Sequence, residues 1–136
     1  ARAAANNIIP TSTGAAKAVG RVLPHLKGKL DGTAIRVPTP NVSLVDFKFN
    51  TKKNISIESL NNKFQEYANN SLKNILGVDR DPKVSSDYNH DSRSSILDLS
   101  ETTTVSDNFG RILTWYDNEW GFSNRMLETT AQVCNL

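Results

Sequence analysis

The chain has one cysteine, one methionine and two histidines in 136 residues. A lone Cys134 excludes an internal disulfide and suits a reducing, cytoplasmic setting. It also lacks the surroundings of a catalytic thiol, because no His, Lys or Arg follows it or stands in the preceding turn to lower its pKa. Cys134 therefore reads as a buried or half-buried apolar residue in a helix stripe. There is no run of five or six basic residues, and the net charge is only +2. Nucleic acid is excluded as a primary partner on that ground. No apolar run approaches the ~18 residues of a membrane span, and no charged-then-apolar leader opens the chain. No glycine-rich nucleotide loop is present. The start, Ala1-Arg-Ala-Ala-Ala5, reads as though cut from something longer. His25, after Pro24 and before a basic link, is a surface residue. Asp87, His90 and Asp91 share one polar loop, which is too weak a pattern for a metal site, and none is assigned.

What is there organises into short elements. Residues 1–12, with Pro10 and a Thr/Ser cluster, read as a loop. Small and apolar residues from Gly14 to Leu23 suit a short helix stopped by Pro24. Thr33–Val37 and Val42–Asn50 read as strands, and in the second Val45, Phe47 and Phe49 alternate with charges to give one buried face. Ser56 is placed to cap a helix with Glu58 in its first turn. Ile57, Leu60, Phe64 and Tyr67 recur at helical spacing and face a core. Asn69-Asn70 ends that helix, Ser71–Leu76 suits one more turn, and residues 79–93 are turn-like. Ser94–Leu99, Thr102–Val105 and Arg111–Tyr116 read as three strands, the last two linked tightly near Asn108-Phe-Gly110. Glu119–Cys134 reads as a helix with Phe122, Met126, Thr130 and Val133 on one side. Strands mostly follow strands, which points to an α+β fold, an antiparallel or mixed sheet with helices on one face.

Three places carry chemistry. In Ser12-Thr-Gly-Ala-Ala16, Gly14 lets an anion approach the unpaired N–H groups of a helix start, and the Thr13 hydroxyl adds a donor. An ordinary capped helix has the same sequence pattern. Arg36, between Ile35 and Val37, suits bidentate recognition of phosphate, or a strand arginine with a solvated head. Trp115-Tyr-Asp-Asn-Glu-Trp-Gly joins a strand to a helix. There Asp117 or Asn118 serves as a cap, or an Asn amide is aimed at another amide.

Thr11-Ser-Thr-Gly-Ala-Ala-Lys-Ala-Val-Gly20, Gly28-Lys-Leu-Asp-Gly32, Arg36-Val-Pro-Thr-Pro-Asn-Val-Ser43, Leu72-Lys-Asn-Ile-Leu-Gly77, Val84-Ser-Ser-Asp-Tyr-Asn89 and Trp115-Tyr-Asp-Asn-Glu-Trp-Gly-Phe-Ser-Asn-Arg125 follow one another in register. Together they resemble the phosphorylating glyceraldehyde-3-phosphate dehydrogenase family over essentially the whole chain. The resemblance implies that residues 1–136 are the C-terminal portion of that family's catalytic domain. On this basis the Rossmann NAD domain is absent, and the helix at 119–136 would pack on it. It implies an NAD-dependent glycolytic oxidoreductase, a cytoplasmic homotetramer without nucleic-acid or membrane partners. Such an enzyme converts glyceraldehyde 3-phosphate and inorganic phosphate to 1,3-bisphosphoglycerate through a cysteine thioester.

Thr13 and Gly14 match the pair that contacts a substrate phosphate, Arg36 matches the arginine of the same site, and Asn118 matches the asparagine that bonds the nicotinamide carboxamide. The family's nucleophilic cysteine and its histidine base match nothing in these 136 residues, so neither Cys134 nor His25 takes their place. The chain alone is expected to be inactive. The apolar stripe of the last helix is expected to form an exposed patch, to rearrange the helix or to be buried in an oligomer, and the first twelve residues are expected to be loosely held. Many members carry tyrosine where this chain has Phe122. That version also resembles the erythrose-4-phosphate dehydrogenase branch, whereas Pro40 favours the glyceraldehyde phosphate branch. A free-standing anion-binding or interaction module descended from the family is the alternative from another class.

Overall fold

The computed structural model describes residues 2–134. Ala1 of the expected opening loop and residues 135–136 of the expected last helix lie outside them. Contacts divide the chain into two compact units, Ala1–Pro40 and Asn41–Leu136.

In the first unit, β1 (Ile9–Ser12) pairs antiparallel with β2 (Thr33–Arg36), and α1 (Ala15–Val22) lies in the connection between them. The expected loop at 1–12 therefore ends in a strand. Alternation is too short over four residues to announce it, and Pro10 is tolerated because only β2 pairs with this strand. The Thr33 hydroxyl donates to the Thr11 carbonyl at 2.8 Å and adds a side-chain tie to the ladder. Neither α1 nor the single helical turn at Pro24–Leu26 buries a residue.

The second unit is a four-stranded sheet in the order β3-β6-β5-β4. β3 (Ser43–Asn50), β6 (Phe109–Tyr116) and β5 (Ser95–Ser106) are antiparallel neighbours, and β4 (Leu76–Asp79) runs parallel to β5. The fold is α+β with a mixed sheet, as the element order implied. Two of the expected strands, Ser94–Leu99 and Thr102–Val105, are one strand with an irregularity between Asp98 and Thr103. The polar Ser100-Glu101 pair marks the irregularity, where β5 leaves its ladder with β6 and Asp98 accepts from the Ser100 amide and hydroxyl. β4 was not read from the sequence: it begins at Leu76, the last residue of the expected turn, and its four residues are too few to show a strand period.

Successive strand residues face opposite sides, and each face carries a small core. On one face Leu97, Leu99 and Ile112 pack with Phe49, Phe64 and Val78 beneath α2 (Ile57–Asn69). On the other, Val42, Tyr88 and Ile96 pack with Trp115. The Tyr88 and Trp115 rings stack at 5.4 Å. Burial, helped by the carboxylates of Asp79 and Asp98, pushes the Tyr88 phenol up to about 12.

Ser56 caps α2 as expected, accepting from the Ser59 amide while the Ser59 hydroxyl accepts from the Ser56 amide. The buried stripe differs from the expected one. Ile57 and Tyr67 are exposed, whereas Asn61 is buried with its Nδ2 donating to the Leu99 carbonyl at 3.0 Å. A backbone acceptor at the strand irregularity makes a polar side chain the right one there, which an apolar pattern cannot indicate. The face expected to be buried on β3 is also largely open. α2 lies against β4 and β5, so of Val45, Phe47 and Phe49 only Phe49 reaches the core, with Phe47 stacked on it at 5.5 Å.

The last helix, α3, spans Trp120–Val133. Its apolar residues Phe122, Met126, Leu127 and Val133 are exposed, in line with the first of the outcomes expected for the stripe. Cys134 is exposed as well, which corrects its reading as buried. It shares the α3 flank with that stripe, and no other element of the second unit covers it. No helix among the described residues is long and apolar enough to cross a membrane.

Candidate functional site

Thr13 leaves β1 and Gly14 stands at the N-terminus of α1. The Thr13 hydroxyl oxygen accepts from the Ala15 amide at 3.2 Å. That uses one of the helix's unpaired N–H groups and leaves the hydroxyl proton free to donate. A Cβ added at Gly14 would meet nothing within 4 Å. Packing of the described fold therefore does not require glycine here, and the backbone at the helix start stands open.

Arg36 ends β2, exposed and without an ion pair among the described residues. The ladder pairs it with Ile9, whereas Ser12 pairs with Thr33. Four residue steps thus set the backbones of Thr13 and Arg36 roughly 13 Å apart. The structure places the two at opposite ends of one short ladder. A phosphate held by both depends on the long arginine stem.

Asn118 belongs to the second unit, on the corner between β6 and α3. The corner is built around Asp117, whose side chain is fully buried. One carboxylate oxygen accepts from the amides of Glu119 and Trp120 at 3.0 and 2.8 Å, capping α3. The other accepts from the Asn41 side-chain amide and the His90 backbone amide, both at 2.9 Å. Burial alone would raise the Asp117 carboxyl, but the amides of Trp120, His90 and Glu119 and the Asn41 side chain outweigh it and hold the group below its usual range.

Asn41 also donates to Asn89 at 2.7 Å, and the His90 ring tilts against Trp120 at 5.1 Å. Asn118 itself is exposed, and its Oδ1 accepts from the Ser43 hydroxyl at 3.3 Å. Of the two cap candidates read from the sequence, Asp117 caps the helix and Asn118 is left free. The sequence reading gave Asn41 and Ser43 no role and weighed His90 only as a metal ligand. The Asn41 and His90 contacts arrive from 76 and 27 residues away, and no local pattern announces them.

The polar loop is otherwise engaged. Asp87 accepts from the Val84 amide, and Asp91 holds the Arg93 guanidinium. The described residues contain no cluster of three metal-ligating side chains.

Gly121, in the first turn of α3, is buried against this loop, and a Cβ there would stand 2.9 Å from the Arg93 carbonyl oxygen. Alanine normally favours a helix by about 1 kcal/mol over glycine. Here the clash with backbone dominates, and Gly121→Ala is expected to lose about 1–2 kcal/mol net. An unchanged or raised urea midpoint would contradict this.

The second unit is thus an α+β sheet domain that presents an uncommitted amide on a rigid strand-to-helix corner. The first presents an open helix start and a guanidinium without an ion pair among the described residues. A family model described as glyceraldehyde 3-phosphate dehydrogenase, C-terminal domain, matches residues 1–118. Glyceraldehyde-3-phosphate dehydrogenases of Cereibacter sphaeroides and Xanthobacter flavus are 54% and 55% identical over all 136 residues, which make up 41% of each relative. That of Claviceps purpurea is 50% identical over 97% of the chain and 39% of its own length. The chain belongs to the glyceraldehyde 3-phosphate dehydrogenase family, as its C-terminal domain, and spans about two fifths of the length of the curated relatives it matches.

Proposed function

We propose that the chain is the phosphate- and nicotinamide-contacting part of an NAD-dependent, phosphorylating glyceraldehyde-3-phosphate dehydrogenase of the cytoplasm, homotetrameric as a whole. The observation that carries this reading is the family match over residues 1–118, a span that includes Thr13, Gly14, Arg36 and Asn118. In this reading Thr13 and Gly14 hold a phosphate oxygen through a hydroxyl and the open backbone of the α1 start. Arg36 supplies a fork of N–H donors to phosphate from glyceraldehyde 3-phosphate or the inorganic pool.

Asn118 fits a nicotinamide. Its Nδ2 has no hydrogen-bond partner among the described residues, and its Oδ1 keeps a second lone pair beside the Ser43 contact. A primary carboxamide matches that donor and acceptor. NAD, when bound, supplies the acceptor for hydride. The role of this chain is to orient the ring and to anchor the anionic ends of the reactants. The cysteine that carries the acyl group as a thioester and its histidine base belong to the remainder of the protein, so these 136 residues are inactive alone. The exposed flank of α3, with Phe122, Met126 and Val133, packs on the nucleotide-binding domain in this reading.

Kinetics of the full-length enzyme test it. Asn118→Ala is expected to raise the KM for NAD about tenfold while the KM for inorganic phosphate stays put. An unchanged dependence on NAD would remove Asn118 from the cofactor site.

A further inference from the structure

An exposed asparagine is a poor recognition group unless something holds it. Its terminal torsion is broad, and ordering a mobile side chain on binding weakens affinity. Asn118 has a holder. The Ser43 hydroxyl, at the first residue of β3 and opposite Tyr116 in the ladder, donates to Asn118 Oδ1 at 3.3 Å.

Ser43 is itself fixed from both directions. After it, β3 pairs with β6 along its length. Before it, Val42 takes a φ of 70° with its side chain buried against Tyr88 and Ile96. A β-branched residue avoids that left-handed region unless its surroundings impose it. One residue earlier, Asn41 is bonded to the buried Asp117 carboxylate. Three consecutive residues thus reach the corner. Asn41 binds Asp117, Val42 anchors in the core, and Ser43 touches Asn118.

We propose that Ser43 is a positioning residue for the cofactor site, restraining the Asn118 amide before the nicotinamide carboxamide arrives. The proposal rests on the reading of Asn118 given above. Ser43 touches no reactant, and it acts by lowering the ordering cost of the group that does.

The test is a mutant cycle in the full-length enzyme. NAD, phosphate and turnover kinetics are measured for Ser43→Ala, Ser43→Thr, Asn118→Ala and the Ser43→Ala/Asn118→Ala double variant, each with a urea midpoint. Ser43→Ala is expected to raise the KM for NAD about three- to tenfold, the effect of having to order one side chain on binding. The expected change in kcat and in phosphate KM is no more than about twofold, and the midpoint should hold. Ser43→Thr restores the hydroxyl and should restore the KM. In the Asn118→Ala background, Ser43→Ala should add nothing, because its only route to NAD has been removed. An equal effect in both backgrounds, or none in the wild type while Asn118→Ala raises the KM, overturns the role of Ser43. If Asn118→Ala leaves the KM unchanged, the reading of Asn118 falls first and takes this proposal with it.

Discussion

Replacing Asp117 with alanine is expected to cost the protein about 3 kcal/mol or more of stability. The carboxylate is fully buried and accepts four hydrogen bonds, from the Glu119, Trp120 and His90 backbone amides and the Asn41 side chain. Alanine takes the acceptor from three backbone donors and from one proton of the Asn41 amide, which keeps its bond to Asn89. It removes the cap of α3 and the link between the Asn41 and His90 segments at once. Asparagine is no rescue, because its NH2 would point at donors. Urea titration of Asp117→Ala and Asp117→Asn measures the loss, and a midpoint within experimental scatter of the wild type would refute it.

The same carboxylate gives the loss a pH signature. Its folded pKa lies below its unfolded value, so its contribution is complete above the unfolded pKa of about 3.9 and is lost as pH falls through the lower folded one. The stability gap between wild type and Asp117→Asn should therefore be widest near neutrality and close below about pH 4. A gap that stays constant into acid would mean that the charge is not what the four donors recognise.

Arg36→Ala is expected to raise the KM for glyceraldehyde 3-phosphate or for inorganic phosphate some ten- to hundredfold in the full-length enzyme, while the KM for NAD stays near wild type. That range is the worth of a charge-assisted contact to phosphate. Arg36→Lys should fall between, since an ammonium keeps the charge and loses the planar fork. Folding should be untouched, because Arg36 is exposed and forms no ion pair among the described residues. The ladder sharpens this expectation. Arg36 and Thr13 sit at opposite ends of the β1–β2 pairing, so their contributions to one phosphate are separable, and a Thr13→Ala change should not mimic the loss of Arg36. Phosphate kinetics indifferent to Arg36 would take the residue out of the site.

Much of the candidate site could be proposed from the sequence because its residues are local in the chain. Gly14 beside Thr13 at a helix start is a three-residue pattern, and Asp117-Asn-Glu-Trp120 carries its own cap spacing. The register of long motifs then identified the family. The misreadings have a common cause. Ile57 and Tyr67 satisfied a helical stripe, yet the side chain the sheet required was Asn61, because the strand irregularity left the Leu99 carbonyl available. Val45 and Phe47 satisfied strand alternation, yet α2 lies against β4 and β5. Cys134 satisfied a stripe on a helix whose apolar flank no other element of its unit covers. Periodicity states which side chains share a face. It does not state what lies opposite.

The sequence by itself determined the family, the α+β class, the cap of α2 and the identity of the exposed chemical groups, since each depends on residues close together in the chain. Only the tertiary structure decided how those groups are held. The Asp117 carboxylate gathers Asn41 from 76 residues away, Val42 adopts a backbone it would avoid in isolation, and Ser43 reaches Asn118 across the strand end. Such contacts form between segments with no local preference for one another, and they become favourable only once the sheet has brought their backbones together and excluded water from the carboxylate.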